Sequence, residues 1–209
     1  MKILNEQAVI AADNLSYEET LLNDFEKSPT EEILRFWESN LYFVVMGIAN
    51  TAEEEIQGPY CAARKIQILK RCSGGGTVLQ GPGCLNYALF LDLQKRPELR
   101  TIRSTHHYVL ARHAQAIENL LEKKIRHEGD SDLTLHGKKF SGNAMRRKNR
   151  FILYHGTFLY DFDFSMIENC LQMPPRRPAY RAGRSHRDFL INLPLKSEQI
   201  KQALINVWK

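Results

Sequence analysis

Cysteine is scarce in this chain: four among 209 residues, at positions 61, 72, 84 and 170. No two stand in a CxxC pair and no histidine lies at zinc-finger spacing from them, which argues against a structural metal site or a disulfide framework. The default is four free thiols in a reducing compartment, most of them buried as small hydrophobes. Long apolar runs are also missing, for none approaches the roughly 18 residues that a membrane helix needs. The opening stretch, MKILNEQAVIAADN, meets acidic residues too early for a secretory hydrophobic region. Internal repeats and low-complexity tracts are absent. These gaps lead us to expect a soluble cytoplasmic protein with no membrane partner.

What is present suits a globular fold. The chain is 43% hydrophobic and 25% charged, enough for one large core across residues 1–209. The net charge of +5 favours an anionic partner without naming it.

Apolar spacing predicts a helix from Asn14 to Lys27, ended by Pro29 and Thr30. Short β-branched and aromatic runs predict strands at 33–37, 42–47, 66–69, 77–80 and 85–93, the last two around a Gly81-Pro82-Gly83 turn. A long helix is expected over 103–126. Further strands follow at 133–135, 143–146, 151–154 and 157–162. A short helix over 165–171 has Ser165 as its expected N-cap. Pro174, Pro175 and Pro178 mark an irregular arm before a closing helix over 196–208. This pattern fits an α/β fold of the α+β type: a mixed, mostly antiparallel sheet flanked by helices.

Three stretches stand out as candidate chemistry. Lys70-Arg71-Cys72-Ser73-Gly74-Gly75-Gly76-Thr77 is a basic pair running into three glycines. Gly137-Lys138-Lys139-Phe140-Ser141-Gly142-Asn143-Ala144 follows, and then His155-Gly156-Thr157. A glycine run offers backbone N–H donors to an anion with no side chain in the way, or simply makes a turn. The spacing is not that of a Walker loop, which wants GxxxxGK followed by Ser or Thr. In this order, the three stretches resemble the lipoate-protein ligase family, whose catalytic domain carries Arg-Arg-x-Ser-Gly-Gly-Gly, then Lys-x-Ser-Gly-x-Ala, then His-Gly-Thr. The likeness runs from about Asn14 to about Leu195 and includes the Leu34-Arg35-Phe36-Trp37 and Tyr42-Phe43-Val44-Val45-Met46-Gly47 pair.

The resemblance implies a biotin/lipoate ligase-like fold and an enzyme that activates lipoate or octanoate with ATP and magnesium. It would then transfer the acyl group to a lysine of a lipoyl-acceptor domain. It further implies that Arg71, Ser73, Gly74, Gly75 and Gly76 lie against the acyl-adenylate and that Lys139 contacts carboxyl and phosphate oxygens in a catalytic role. Asp132 is implied to stand near the phosphates and magnesium, with Ser131 where the family has Asn. Ser141, Gly142, His155, Gly156 and Thr157 would form the pocket, the last three as scaffold and wall, and Asn86 would line the acyl end. A fixed cation in a dry pocket stabilises developing charge far better than one in water.

Departures from the pattern keep other functions open. Lys70 replaces the first Arg, and Gln80 stands where an aromatic-His pair is usual. The C-terminal accessory domain of larger ligases is not expected within 1–209, which implies a separate accessory subunit, a half-reaction only, or a transferase. One alternative is a cysteine-dependent octanoyl or lipoyl transferase, although no cysteine lies between Arg126 and Lys139 and Cys170 falls inside a predicted helix. The other is a catalytically weak homologue that binds the acyl-adenylate. Biotin ligation is disfavoured because Gly-Arg-Gly-Arg-x-Gly-Arg does not occur. Two basic clusters, Arg146-Arg147-Lys148-Asn149-Arg150 and Arg176-Arg177 with Arg181, Arg184 and Arg187, raise nucleic-acid binding. Without interleaved aromatics or a known module, we expect a solvated rim, or a surface for an acidic carrier domain or a phosphate.

Overall fold

The computed structural model describes residues 1–6, 8–28 and 31–209. Its larger sheet runs β1-β2-β6-β10-β9-β8-β7. These strands are β1 (Lys2–Leu4), β2 (Ile33–Trp37), β6 (Cys84–Asp92), β10 (Phe151–Leu159), β9 (Lys138–Lys148), β8 (Asp132–Leu135) and β7 (Ile125–Glu128). A smaller sheet has the order β4 (Gln67–Lys70), β3 (Phe43–Met46), β5 (Val78–Gln80). The pairs β1 with β2 and β3 with β4 are parallel and the others antiparallel. The mixed, mostly antiparallel architecture expected from the sequence is therefore the one observed.

Alternation along β6 and β10 divides the large sheet into two faces. Leu85, Tyr87, Leu89 and Leu91 join Ile152, Tyr154 and Phe158 in the main core, covered by α4 (Ile102–Leu121) and α7 (Ser197–Trp208). The opposite face carries Ala88, Phe90, Phe151 and Leu153, packed by Leu22 and Phe25 of α1 (Ala11–Lys27). Trp37, on that second face, stacks on Phe43 of the small sheet with ring centroids 6.2 Å apart. The remaining helices are α2 (Ala52–Glu55), α3 (Gly58–Ala63), α5 (Phe164–Cys170) and α6 (His186–Phe189). No helix is long and apolar enough to cross a membrane.

Several boundaries differ from the sequence expectations. The long helix stops at Leu121, where Glu122 takes a left-handed conformation (φ 53°), and Ile125 to Glu128 pair with β8 as a strand. Lys123 and Lys124 are good helix formers and no glycine or proline lies between Pro97 and Gly129, so only the pairing reveals the strand. The expected strands at 151–154 and 157–162 are one strand running through Gly156, and 143–146 is the middle of the longer β9. Asp163, rather than Ser165, caps α5, its carboxylate accepting from the Ser165 backbone N–H at 2.9 Å. The short β1, α2 and α3 had no periodicity strong enough to show. Pro29 and Thr30 lie outside the described residues.

One ionisable group in the core makes stability depend on pH. His113 of α4 is buried among Tyr87, Phe158 and Trp208, and its Nε2 accepts the Trp208 indole N–H at 2.8 Å. Burial pushes its pKa down from 6.5 to about 3. Below pH 6.5 the unfolded chain binds a proton that the native state refuses. Stability should fall by about 1.4 kcal/mol per pH unit from below pH 6 towards pH 3. Denaturant titrations across that range check it: His113→Leu should flatten the slope, and an unchanged slope would contradict the assignment.

Candidate active site

The second face of the large sheet carries a row of directly opposed residues. Trp37 of β2 pairs with Asn86 of β6, and Asn86 with Thr157 of β10. Gly156 pairs with Asn143, and continuing that register sets Gly142 of β9 beside Thr157. Opposed residues in antiparallel strands share a face, and neighbouring strands lie about 4.8 Å apart, so the row spans roughly 14 Å. It runs from half-exposed Gly142 and Thr157 to buried Asn86 and Trp37.

Lys139 stands over the open end of this row. Its ammonium pairs with Asp132 Oδ1 at 2.7 Å, and a Cβ at Gly142 would lie 2.8 Å from its Nζ. Gly142 is thus the seat of the ammonium. A β-bulge makes this possible: Thr134 pairs with Lys139 but Leu133 with Ser141, so β9 carries one extra residue there. Phe140 points into the main core against Phe158, while Lys139 turns to the face of Gly142. The Tyr180 hydroxyl holds the other Asp132 oxygen at 2.7 Å, and burial beside that carboxylate raises the phenol's pKa.

Neighbouring residues support this corner from behind. Gly156 leaves room for the Tyr87 hydroxyl to donate to Asn143 Oδ1 at 2.5 Å, since a Cβ there would overlap that oxygen. Asn143 Nδ2 donates to the Ser131 carbonyl and the Ser131 hydroxyl to the Asn143 carbonyl, fixing the turn that presents Asp132. Ser131 therefore makes a structural contact, and Ser141, almost wholly buried, accepts from Asn143 Nδ2 at 3.2 Å.

The glycine loop crosses the adjacent row. Ser73 Oγ lies 2.6 Å from His155 Nε2, and His155 Nδ1 lies 2.7 Å from Glu18 Oε2. Glu18 Oε1 also accepts the Trp37 indole N–H at 2.8 Å, with Arg35 Nη1 at 3.6 Å. A carboxylate can only accept, so Nδ1 carries a proton toward Glu18 and Nε2 faces the serine hydroxyl. Arg71 closes the loop from within: Nε donates to Ser73 Oγ, Nη1 to the Val45 carbonyl, and Nη2 to the Gly74 and Gly76 carbonyls. Burial lowers its pKa to about 10. Gly75, at φ +92°, adopts a conformation that favours glycine, and Gly47 is needed because a Cβ would meet the Gly75 carbonyl.

Glu18 and Tyr180 were not singled out from sequence, and Trp37 only as part of the Leu34-Arg35-Phe36-Trp37 stretch. Glu18 was visible as a carboxylate three residues after Leu15 and four before Leu22, on the apolar stripe of α1. Tyr180 sits in an irregular arm with no such signal. The basic clusters also read differently in three dimensions. Arg146 donates to the Cys72 carbonyl, Arg147 to the Leu99 and Arg100 carbonyls, Lys148 pairs with Glu26, and Arg150 with Asp92. This turn is thus a set of ties within the fold. Arg181 is buried, and Arg184 donates to the Gly137 and Tyr180 carbonyls, which leaves Arg176, Arg177 and Arg187 exposed.

None of the thiols has the setting of a nucleophile. Cys61, Cys84 and Cys170 are buried and Cys72 is half-buried. Burial pushes Cys72 up to about 11 and Cys84 and Cys170 up to about 12, and raises Cys61 as well. Among the described residues, no three His, Cys, Asp or Glu side chains gather to hold a metal ion. A surface cleft of about 470 Å³ between Tyr160 and Gln199 shares no lining residue with the constellation around Lys139.

Comparisons with known proteins place the chain in a family. The family described as Lipoyl protein ligase A/B catalytic domain matches residues 11–207. A "Probable lipoate-protein ligase A" of Mycoplasma pneumoniae is 26% identical over 191 residues, covering 91% of this chain and 55% of that protein. The chain thus spans about half the length of its mycoplasmal relatives. "Octanoyltransferase LipM" of Oceanobacillus iheyensis is 24% identical, covering 95% of this chain and 79% of that protein. A crystal structure of lipoate-protein ligase A bound with ATP superposes with a TM-score of 0.85 at 21% identity, covering 99% of this chain and 83% of the other. The bi-partite lipoate protein ligase of Thermoplasma acidophilum superposes at 0.84 with 22% identity, covering 99% and 81%. With the family match extending over nearly the whole chain, this protein belongs to the lipoyl protein ligase A/B catalytic domain family.

Proposed function

We propose that this chain activates a lipoyl- or octanoyl-type acid as its acyl adenylate and passes the acyl group to a lysine amine of an acceptor domain. The observation that carries the reading is the Lys139 ammonium, held by Asp132 above Gly142 at the open end of a row leading to a buried aromatic end. A carboxylate oxygen attacks the α-phosphorus of ATP and pyrophosphate leaves. The acceptor amine then attacks the acyl carbonyl, and AMP leaves. In both steps negative charge builds on oxygens that a fixed ammonium in a partly buried site stabilises. The glycine loop supplies backbone N–H donors on the neighbouring side, its position set by the Arg71, Ser73, His155 and Glu18 chain. Magnesium belongs to the nucleotide, which supplies most of its oxygen ligands, and Asp132 is the carboxylate of this site that would hold it.

A cysteine-dependent transferase is the second reading, supported by the octanoyltransferase relative. It requires a thiolate, and burial raises all four thiols here. Incubation with lipoate, ATP and magnesium should release pyrophosphate and leave bound acyl-AMP, with Cys84→Ser and Cys170→Ser as active as the parent. Nucleotide-free transfer from an acyl-carrier thioester, abolished by either substitution, would replace the ligase reading with the transferase one. The bi-partite archaeal ligase supports a further element of the proposal, that a separate small subunit assists catalysis.

A further inference from the structure

Two buried amides in the candidate site have polar atoms without partners. Gln80 is 6% exposed and Asn86 3% exposed, yet Gln80 Oε1 and Asn86 Nδ2 find no hydrogen-bond partner. The unmatched atom is an acceptor on Gln80 and a donor on Asn86. Native interiors rarely leave such groups unmatched, and a pair of them at one place points to a missing ligand.

The register puts both at the same end of the row. Asn86 is the direct neighbour of Trp37, Gln80 is the direct neighbour of Phe43, and Trp37 stacks on Phe43. A donor and an acceptor therefore flank one aromatic stack, across the sheet from Lys139. An acid whose carboxyl lies at Lys139 and whose chain follows the row brings its far end to this stack.

We propose that Gln80 and Asn86 are specificity-determining residues that select an acyl chain with a hydrogen-bonding sulfur end, the dithiol form ahead of the cyclic disulfide and both ahead of a plain hydrocarbon. The inference rests on the acyl-activating reading and says which acid that site takes. A dithiol gives an S–H to Gln80 Oε1 and offers a sulfur to Asn86 Nδ2. The ring offers a sulfur but has no proton to give. Octanoate leaves both amides buried and unmatched, and a site built to hydrogen-bond its substrate rejects an analogue lacking the group. Sulfur also packs favourably at the edge of an aromatic ring, so the stack adds to the same preference.

The test is ATP–pyrophosphate exchange with three acids of equal chain length: dihydrolipoate, lipoate and octanoate. The expected order of kcat/KM is dithiol, ring, hydrocarbon, with on the order of tenfold between first and last, because sulfur hydrogen bonds are weak. Asn86→Leu and Gln80→Met should each bring the ratio of dithiol acid to octanoate toward one. The ratio is insensitive to a general loss of activity, and either variant suffices should the other fail to fold. Octanoate within about twofold of the dithiol acid would overturn the proposal. So would lipoate ranking above dihydrolipoate, or a ratio that neither substitution moves. Should no acid support exchange, the activation reading falls by itself. The preference is then measured by calorimetric binding of the same acids, where the same order must hold and its absence overturns the inference.

Discussion

Lys139→Ala should slow acyl activation by on the order of a hundredfold, a loss of about 3 kcal/mol of transition-state stabilisation. The ammonium is partly buried, paired with Asp132 and seated where Gly142 has no side chain, so no water or neighbouring cation replaces it easily. Lys138 is one residue away on the opposite side of the strand and pairs with Leu135, and Lys138→Ala should lose little. Arginine at 139 should not restore the rate, because a planar fork does not fit a seat shaped for a point charge. Pyrophosphate-exchange kinetics, with urea unfolding to confirm equal stability, decide the matter. Equal losses for the two lysines would mean a diffuse basic surface, and an undiminished rate in Lys139→Ala would remove the assignment.

The second large effect is on stability. Glu18 receives the Trp37 indole, His155 Nδ1 and the nearby Arg35 guanidinium, all buried. Glu18→Ala should cost about 3–5 kcal/mol, since it leaves the buried Arg35 cation without its counter-charge and two donors without their acceptor. Glu19→Ala, on the exposed side of the same helix, should stay within about 0.5 kcal/mol. Urea denaturation of the two variants measures this directly. A Glu18→Ala midpoint matching that of Glu19→Ala would show that the chain of bonds carries no stability. Because that chain ends on Ser73, the same variant should also loosen the glycine loop, seen as faster amide exchange over residues 72–76.

Much of this molecule is readable along the chain. The helices α1 and α7 announce themselves by apolar stripes, and β2, β3 and β6 by short β-branched and aromatic runs between turn residues. Arg71-x-Ser73-Gly74-Gly75-Gly76 and His155-Gly156-Thr157 carry the family likeness, and two of their glycines answer a local demand: positive φ at Gly75, and space for Asn143 at Gly156. The basic turn at 146–150 was misleading for the opposite reason. Charge is a property of composition, whereas the carbonyls and carboxylates that engage those side chains lie at distant positions such as Cys72, Leu99, Glu26 and Asp92.

The sequence alone determined most of the element types and the mixed sheet, and it singled out Lys139 through a family motif, since periodicity and motif spacing are local properties of the chain. Only the tertiary structure decided which way that lysine points. Strict alternation through Lys139, Ser141 and Asn143 would place all three on the face that buries Ser141. The extra residue in β9 opposite Leu133 and Thr134 reverses the phase, leaving Phe140 in the core and Lys139 over Gly142. A bulge has no residue signature of its own. It arises because packing Phe140 against Phe158 and pairing with β8 can both be met only by shifting the register, and that choice depends on strands distant in the sequence.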